Sequence, residues 1–418
     1  MAGNTLLSIS WITNEAAMIL KNKLKFGNSV NRQYDNRFAQ TGAKVGNSIN
    51  IRKPIRPVGR VGMVAQYDDI NETYVTLTLD HPFGVDLNYT TIDLTLSMDD
   101  FSRRYIAPAV ARIANYVDEV GLQLYNQFSW MVGTPGTIPN TNLIYTTAGA
   151  ILTEEATPDD DDLRSMILNP MSMATIQDAN KALFNPAPTI SEEYRSAKMP
   201  ETTKALGWRW MGDSNVIPHT VGPLGGTPLV NGANQTGANL VTDGWTASAA
   251  NRLKQGDIFT VANVYAVNPM NRRNTGRLRQ FVVTGDVNSD GSGNATIPIS
   301  PSLVGPTTAT AANPLGITQF QTVNALPADN APLTVVGAAN TVSMQNLGIY
   351  RDAVVLGMAD LDYPRGAVRA ERVSDPDSAI SIRVVEYYDG RNDIDAVRMD
   401  ILFGYVVIYP TLCVRVAA

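Results

Sequence analysis

The chain has one cysteine, Cys413, and two histidines, His81 and His219, among 418 residues. A single thiol inside an apolar run forms no intrachain disulfide, which suits a reducing compartment and rules out a disulfide scaffold. With so little histidine, a Ser-His-Asp or Cys-His pairing has almost no material. No nucleophile elbow, Walker phosphate loop or dinucleotide fingerprint occurs either, so the pattern is not that of an enzyme. Lysine is missing between Lys53 and Lys181 and again after Lys254, and the net charge is -6. Both facts argue against a protein that wraps nucleic acid by charge. Long apolar runs are lacking too: the longest uncharged C-terminal stretch, Ile401 to Val414, is too short and too β-branched to span a bilayer. Residues 1 to 12 show neither a basic start nor a long apolar segment, so a cytosolic place of synthesis and no membrane partner are expected. The remainder, 44% hydrophobic and 17% charged, is the composition of a folded chain of two or three domains.

The most regular stretch present is Ser97 to Trp130. Ile106, Val110, Ile113, Val117, Val120, Leu124 and Phe128 recur at spacings of three and four, which predicts one long helix with a single apolar stripe. Ser97 and Asp100 make a capping-box-like start, and Pro108 is expected at a kink or at the first position of a second segment. Arg112, Asn115, Asp118, Glu119 and Gln123 are expected to point away from the stripe. At ~1.5 Å per residue the part after Pro108 would span roughly 35 Å. Burying seven such side chains contributes about 10 to 20 kcal/mol before chain entropy is subtracted. Such a helix is a girder for the fold rather than a reaction centre.

Around it the chain divides by composition. Residues 1–47 form an N-terminal arm, with a short helix capped by Asn14 and an extended, Asn-rich continuation. In 48–89 the alternating segments INIRKPI and ETYVTLTLD flank a long polar connection, which predicts an extended β loop able to reach a neighbouring subunit. Residues 90–139 hold the long helix. Within 140–220, TTAGAILTEEA reads as a helix, LRSMILNP as a strand and MSMATIQDANKALF as a second helix. Residues 221–345, rich in Gly, Asn, Thr, Ala and Pro, read as an inserted all-β module, a small barrel or sandwich. The last stretch, 346–418, returns to the body.

Two acidic clusters raise the question of a metal. The run Asp159 to Asp162 is read as a solvated loop, because consecutive carboxylates diverge. Asp286, Asn288, Asp290 and Gly291 match the first half of a calcium loop, but the twelfth position is Ile297 rather than a bidentate Glu. A Gly-rich hairpin is therefore expected there, and neither a metal nor a cofactor.

Laid out in this order, the parts resemble the major capsid protein of tailed bacteriophages, in the short-tailed Salmonella-phage form that carries an inserted β-domain. MDDFSRRYIAPAVARIANYVDEVGLQL looks like the start of the spine helix of that fold. ILNPMSMATIQDANKALF with ISEEYRSAKMPETTKALGWRWMGDSNVIPHTVG is similar to its axial-domain stretch. LKQGDIFTVANVYAVNP looks like a strand pair of the insertion, and FGYVVIYPTLCVRV like the terminal strand after a Gly-Tyr pair. The resemblance implies an α+β fold: N-arm, extended β loop, peripheral domain with spine helix, axial domain and inserted all-β domain.

It further implies a structural protein that self-assembles as pentamers and hexamers into an icosahedral head enclosing double-stranded DNA. A scaffolding protein and a portal protein would be partners. The arm, with about fifty residues before the first strand, implies that the scaffold is a separate protein. Arg56, Arg60, Tyr67, Asp68 and Asp69 would be assembly contacts in the loop, and Val110, Ile113, Val117, Val120, Leu124 and Phe128 the spine-helix core. With Lys53 the only lysine near the loop, a covalently crosslinked shell is not expected. Two other readings use the same features: an encapsulin-like compartment shell, and a binding or adhesion protein built on the β-module.

Overall fold

The structure is a computed structural model that describes residues 9–32, 46, 48–59, 63, 72–90, 106–158, 163–180, 204–248, 251–308, 316–364, 366–375, 380–389, 391 and 394–418. The Ser97 and Asp100 cap, the Asp159 to Asp162 run, and the segment from Ile190 to Thr203 lie outside these residues. In chain order come α1 (Ile9–Lys23), α2 (Phe26–Ser29), β1 (Ser48–Arg52), β2 (Tyr74–Thr78), β3 (His81–Thr90) and α3 (Ala107–Leu122). Next are β4 (Trp130–Val132), α4 (Asn142–Glu154), β5 (Arg164–Leu168), α5 (Pro170–Asn180), β6 (Arg209–Gly212) and β7 (Pro218–Thr220). The inserted strands are β8 (Gly226–Val230), β9 (Gly237–Trp245), β10 (Ile258–Val267), β11 (Asn274–Val283), β12 (Ala295–Leu303) and β13 (Leu333–Val335). The return consists of β14 (Val342–Tyr350), β15 (Val354–Met358), β16 (Arg369–Asp375), β17 (Ile380–Asp389), β18 (Ile394–Val407) and β19 (Cys413–Ala417). The chain falls into two compact units, one of residues 1–51, 74–121 and 354–408, the other of 52–73, 122–353 and 409–418.

In the first unit the sheet order is β15-β18-β17-β16, with β3 on the far side of β18. The antiparallel pairing of β3 with β18 runs from His81 opposite Phe403 to Thr90 opposite Ile394. Gly404 sits where a β-carbon would lie 1.9 Å from the Thr78 carbonyl oxygen, so the Gly-Tyr pair allows β2 to cross β18 closely. Across one face lies α3: Val110, Ile113 and Val117 are fully buried and Val120 is buried at the margin. Tyr116 stacks on Phe83 of β3 with ring centroids 4.1 Å apart.

The helix is shorter than its sequence predicts. It ends at Leu122, and Gln123–Gln127 tighten into a 3-10 turn that leaves Leu124 half-buried. A 3-10 turn advances about 120° per residue rather than 100°, which carries Leu124 off the stripe. Phe128 is buried, but in extended backbone beyond that turn, so it is core without being helix.

Asp118 was expected to point away from the stripe. Instead it is 2% exposed and accepts hydrogen bonds from the backbone N–H groups of Lys25 (2.7 Å) and Gly27 (2.9 Å). One turn on, a β-carbon at Gly121 would lie 2.3 Å from the Phe26 ring, so a carboxylate and a glycine together seat residues 25–27. Asn14 is not a cap, because α1 already runs from Ile9. The helix packs on β16 and β17 of its own unit with Leu20 fully buried, and Asn31 bridges Val355 in parallel.

The second unit holds a sheet of order β4-β19-β14-β5-β6, with β7 also paired to β14. Tyr145, Ala148, Ile151 and Leu152 of α4 and Ile176 of α5 pack with Trp208 and with Trp210, Met166, Leu168, Val414 and Val416 of that sheet. Both faces of β5 and β19 are buried, which is why RSMIL and CVRVA read as continuous rather than alternating. The inserted strands form a six-stranded sheet, β13-β10-β11-β12-β9-β8. It closes where Leu229 bridges Pro332 and the Val230 N–H donates to the Ala331 carbonyl at 3.0 Å. The closed barrel encloses Phe259, Phe281, Ile297, Leu240, Leu303 and Val323. On its outer wall, Ile258 and Val282 pack with Met131 of β4 and Ala417 of β19.

Candidate functional site: the loop base and the barrel seam

The extended loop leaves the body through two legs. Pairing of β1 with β2 ends where the Lys53 N–H donates to the Thr73 carbonyl at 2.8 Å. Pro54 and Pro57, which have no N–H, prevent the ladder from continuing. Lys53 is half-buried with its ammonium 5.6 Å from the Tyr409 ring centroid, and burial, with the nearby Arg56 charge second, holds its pKa below the usual lysine value. Arg52 pairs with Glu72 at 3.3 Å, both exposed to solvent. Arg56 is half-buried, and its carbonyl accepts a hydrogen bond from Arg272. Arg60, Tyr67, Asp68 and Asp69 lie outside the described residues. Met63 is 97% exposed.

The barrel is keyed to the β4-β19-β14-β5-β6 sheet by two polar networks. At the first, Glu155 at the end of α4 receives the Trp130 indole N–H at 3.0 Å and the Arg279 guanidinium on the same oxygen. The guanidinium also lies over the Trp130 ring, 4.9 Å from its centroid. Alongside, Arg277 pairs with Glu154 at 2.7 Å, and the Gln280 amide brackets the Met131 backbone, accepting at 2.6 Å and donating at 3.1 Å.

The second network sits at the stem, where the chain enters the barrel. His219 Nε2 lies 2.8 Å from Asp257 Oδ1, and Nδ1 lies 3.2 Å from the Tyr125 hydroxyl. Asp257 Oδ2 accepts the N–H groups of Gly222 (3.1 Å) and Lys254 (2.8 Å). Arg415, fully buried in β19, donates to the Gly256 carbonyl at 2.8 Å and lies over the Tyr125 ring. Burial pulls the Arg415 guanidinium below its ordinary pKa, opposed by Tyr125 and Asp257; burial likewise pushes the Tyr125 phenol up, opposed by Arg415. A histidine, a carboxylate and a hydroxyl are thus brought together, but both carboxylate oxygens are spent on backbone and imidazole, an arrangement that fastens a stem.

None of these networks is foreseen by periodicity. Their trace in the sequence is a charge inside an apolar strand, Arg415 in CVRV and Arg279 before QFVV, which signals a buried partner.

The calcium-loop residues do not converge. Asp286 Oδ1 accepts the Gln255 N–H, Asn288 Oδ1 the Asn251 N–H, and Asp290 Oδ1 the N–H groups of Ser292 and Asn294. Those bonds, led by Asn294, hold the Asp290 carboxyl below its usual pKa. Among the described residues no group of three or more His, Cys, Asp or Glu is placed to hold a metal ion. A calorimetric titration with calcium is expected to be flat, and saturable heat abolished by Asp290→Asn would overturn this.

Comparison with known families adds the deciding observation. The family described as P22 coat protein, gene protein 5, matches residues 1–416. The chain belongs to the P22 coat protein family. It is accordingly a structural major capsid protein of a tailed phage and not an enzyme, and its α+β capsid fold carries an inserted β-barrel. As a coat protein it associates with copies of itself into an icosahedral shell, and its place is the virion capsid. Family membership sets aside the compartment-shell and adhesion readings.

No curated protein sequence matches the chain. Among solved structures, a chain of Mycobacterium phage Che8 is similar at 13% identity and a TM-score of 0.44, covering 94% of this chain and 90% of that one. The mature capsid of bacteriophage PhiM1 is similar at 10% identity and 0.43, covering 94% and 86%. The CUS-3 coat protein I-domain matches 26% of this chain and 94% of its own length at 25% identity and 0.19.

Proposed function

We propose that this coat protein occupies both pentamers and hexamers of the head, and that the extended loop is the arm by which each copy holds its neighbour. The observation that carries the reading is the loop base: its two legs are joined at Lys53 and Thr73 while Met63, further out, is 97% exposed. An arm pinned at its root with Met63 exposed suits strand-like contact with a second copy. Arg56, Arg60, Tyr67, Asp68 and Asp69 supply both signs of charge and an aromatic ring to that contact. Many modest contacts of this kind add up, because every subunit is held by several neighbours at once.

In this reading residues 1–47 act as the arm, 48–89 as the loop, 90–139 as the peripheral domain, 140–220 as the axial domain, 221–345 as the insertion and 346–418 as the return. Assembly takes place in the bacterial cytoplasm on a separate scaffolding protein, with a portal protein in the shell. The double-stranded DNA is enclosed without sequence-specific contact; a net charge of -6 favours a shell that encloses DNA over one that grips it.

Deleting residues 56–72 tests the arm. The expected product is a folded subunit, with barrel unfolding unchanged, that sediments as small species and shows few closed shells by electron microscopy. Normal shells from the deletion would remove the loop from assembly.

A further inference from the structure

We infer that the β10–β11 hairpin of the inserted barrel is the seat of the extended loop, and that Arg272 in its turn fixes the direction in which the loop leaves the subunit. The bond between Lys53 and Thr73 holds the two legs together at their root. A second pin three residues further out defines a direction. Arg272 supplies it: Nη2 donates to the Arg56 carbonyl at 3.3 Å and to the Gln319 carbonyl at 3.0 Å, and Nη1 donates to the Met270 carbonyl at 2.7 Å. Three segments of chain meet on one guanidinium, whose planar fork of donors fits several carbonyls at once where a lysine ammonium would not hold the geometry.

The turn is built to present that side chain. Asn268 Oδ1 accepts the N–H groups of Met270 (2.9 Å) and Asn271 (3.3 Å), and Asn271 Oδ1 accepts that of Arg273 (2.9 Å). The Asn268 N–H donates to the Arg273 carbonyl at 3.0 Å, closing the hairpin, and its side-chain amide donates to the Glu154 carbonyl at 2.8 Å, tying the turn to the end of α4. Arg272 itself has φ +54, a left-handed backbone that L side chains disfavour, so the turn holds a large residue where glycine would be easiest. On the other side of the legs, residues 52–73 group with the barrel-bearing unit and not with the unit containing β2.

The seat rests on this geometry; its consequence for shells rests on the loop being an intersubunit arm. Arg272→Gly in the full chain separates side chain from turn, because glycine adopts the positive φ freely. Hydrogen exchange of the unassembled subunit is expected to rise roughly tenfold in peptide 51–59, with β10 and β11 protected as before. Arg272→Lys should match the glycine variant in the loop. Shells from either should be mixed, with more than one diameter and open sheets.

Unchanged exchange in 51–59 would overturn the seat, as would loss of protection in β10 and β11 together with the loop, which would make Arg272 a support of the hairpin alone. Faster exchange with uniform shells would support the seat while overturning the loop's role as an arm.

Discussion

Val117→Asp should yield no soluble subunit. Val117 is 0% exposed in the middle of α3, between Ile113 and Val120 on the buried stripe. A carboxylate placed there has no donor on the stripe. It must either stay charged in an apolar site or take up a proton, and both routes cost several kcal/mol. A whole domain is stable by only about 5 to 15 kcal/mol, and the substitution also removes the packing of a buried valine. Val117→Ala, which removes packing without adding charge, should fold with a lowered unfolding midpoint. Expression, sedimentation and far-UV circular dichroism of the two variants measure the difference. A soluble, assembling Val117→Asp protein would show that α3 is not the girder of its unit.

Arg279→Ala should destabilise the barrel seam by about 3 to 5 kcal/mol, because it strands a buried carboxylate. Glu155 is 5% exposed, Arg279 is 1% exposed, and Trp130 would be the one side-chain donor left on the shared oxygen. For a unit of this size the first thermal transition should fall by on the order of 10 °C. Replacing both partners, Glu155→Leu with Arg279→Met, removes the desolvation penalty of both charges and should recover most of the loss. Differential scanning calorimetry of the single and double variants tests this. A double variant no better than Arg279→Ala would mean that the lost stability comes from packing against Trp130, not from the unpaired charge.

The two substitutions act on features of different legibility. Val117 stands out in the bare sequence because Val110, Ile113, Val117 and Val120 lie on one helical stripe, and all four are buried. The same counting fails at Leu124, where the backbone tightens to 3-10 geometry and the period changes beneath it. Counting also misplaces Asp118, which a polar residue beside an apolar stripe gives no reason to bury. Its burial depends on the chain near Lys25 returning with two N–H groups in need of an acceptor. Asn14 has the chemistry of a cap yet lies inside α1, whose apolar residues pack on β16 and β17 and outweigh a local preference. The calcium-like spacing from Asp286 to Asp290 is real, but short polar side chains in a turn bond nearby backbone first.

By itself the sequence determined the local matter of this protein: the stripe of α3, the all-β character of the insertion, and the order of parts that places it among phage coat proteins. These follow from periods of two and 3.6 residues and from backbone constraints that act within a few positions. Only the tertiary structure decided which polar groups meet. The partners in Asp118 with Lys25, Glu155 with Arg279 and Arg272 with Arg56 are 93, 124 and 216 residues apart. No local pattern encodes such a separation, since a buried polar group is satisfied by whatever donor the assembled fold brings to it.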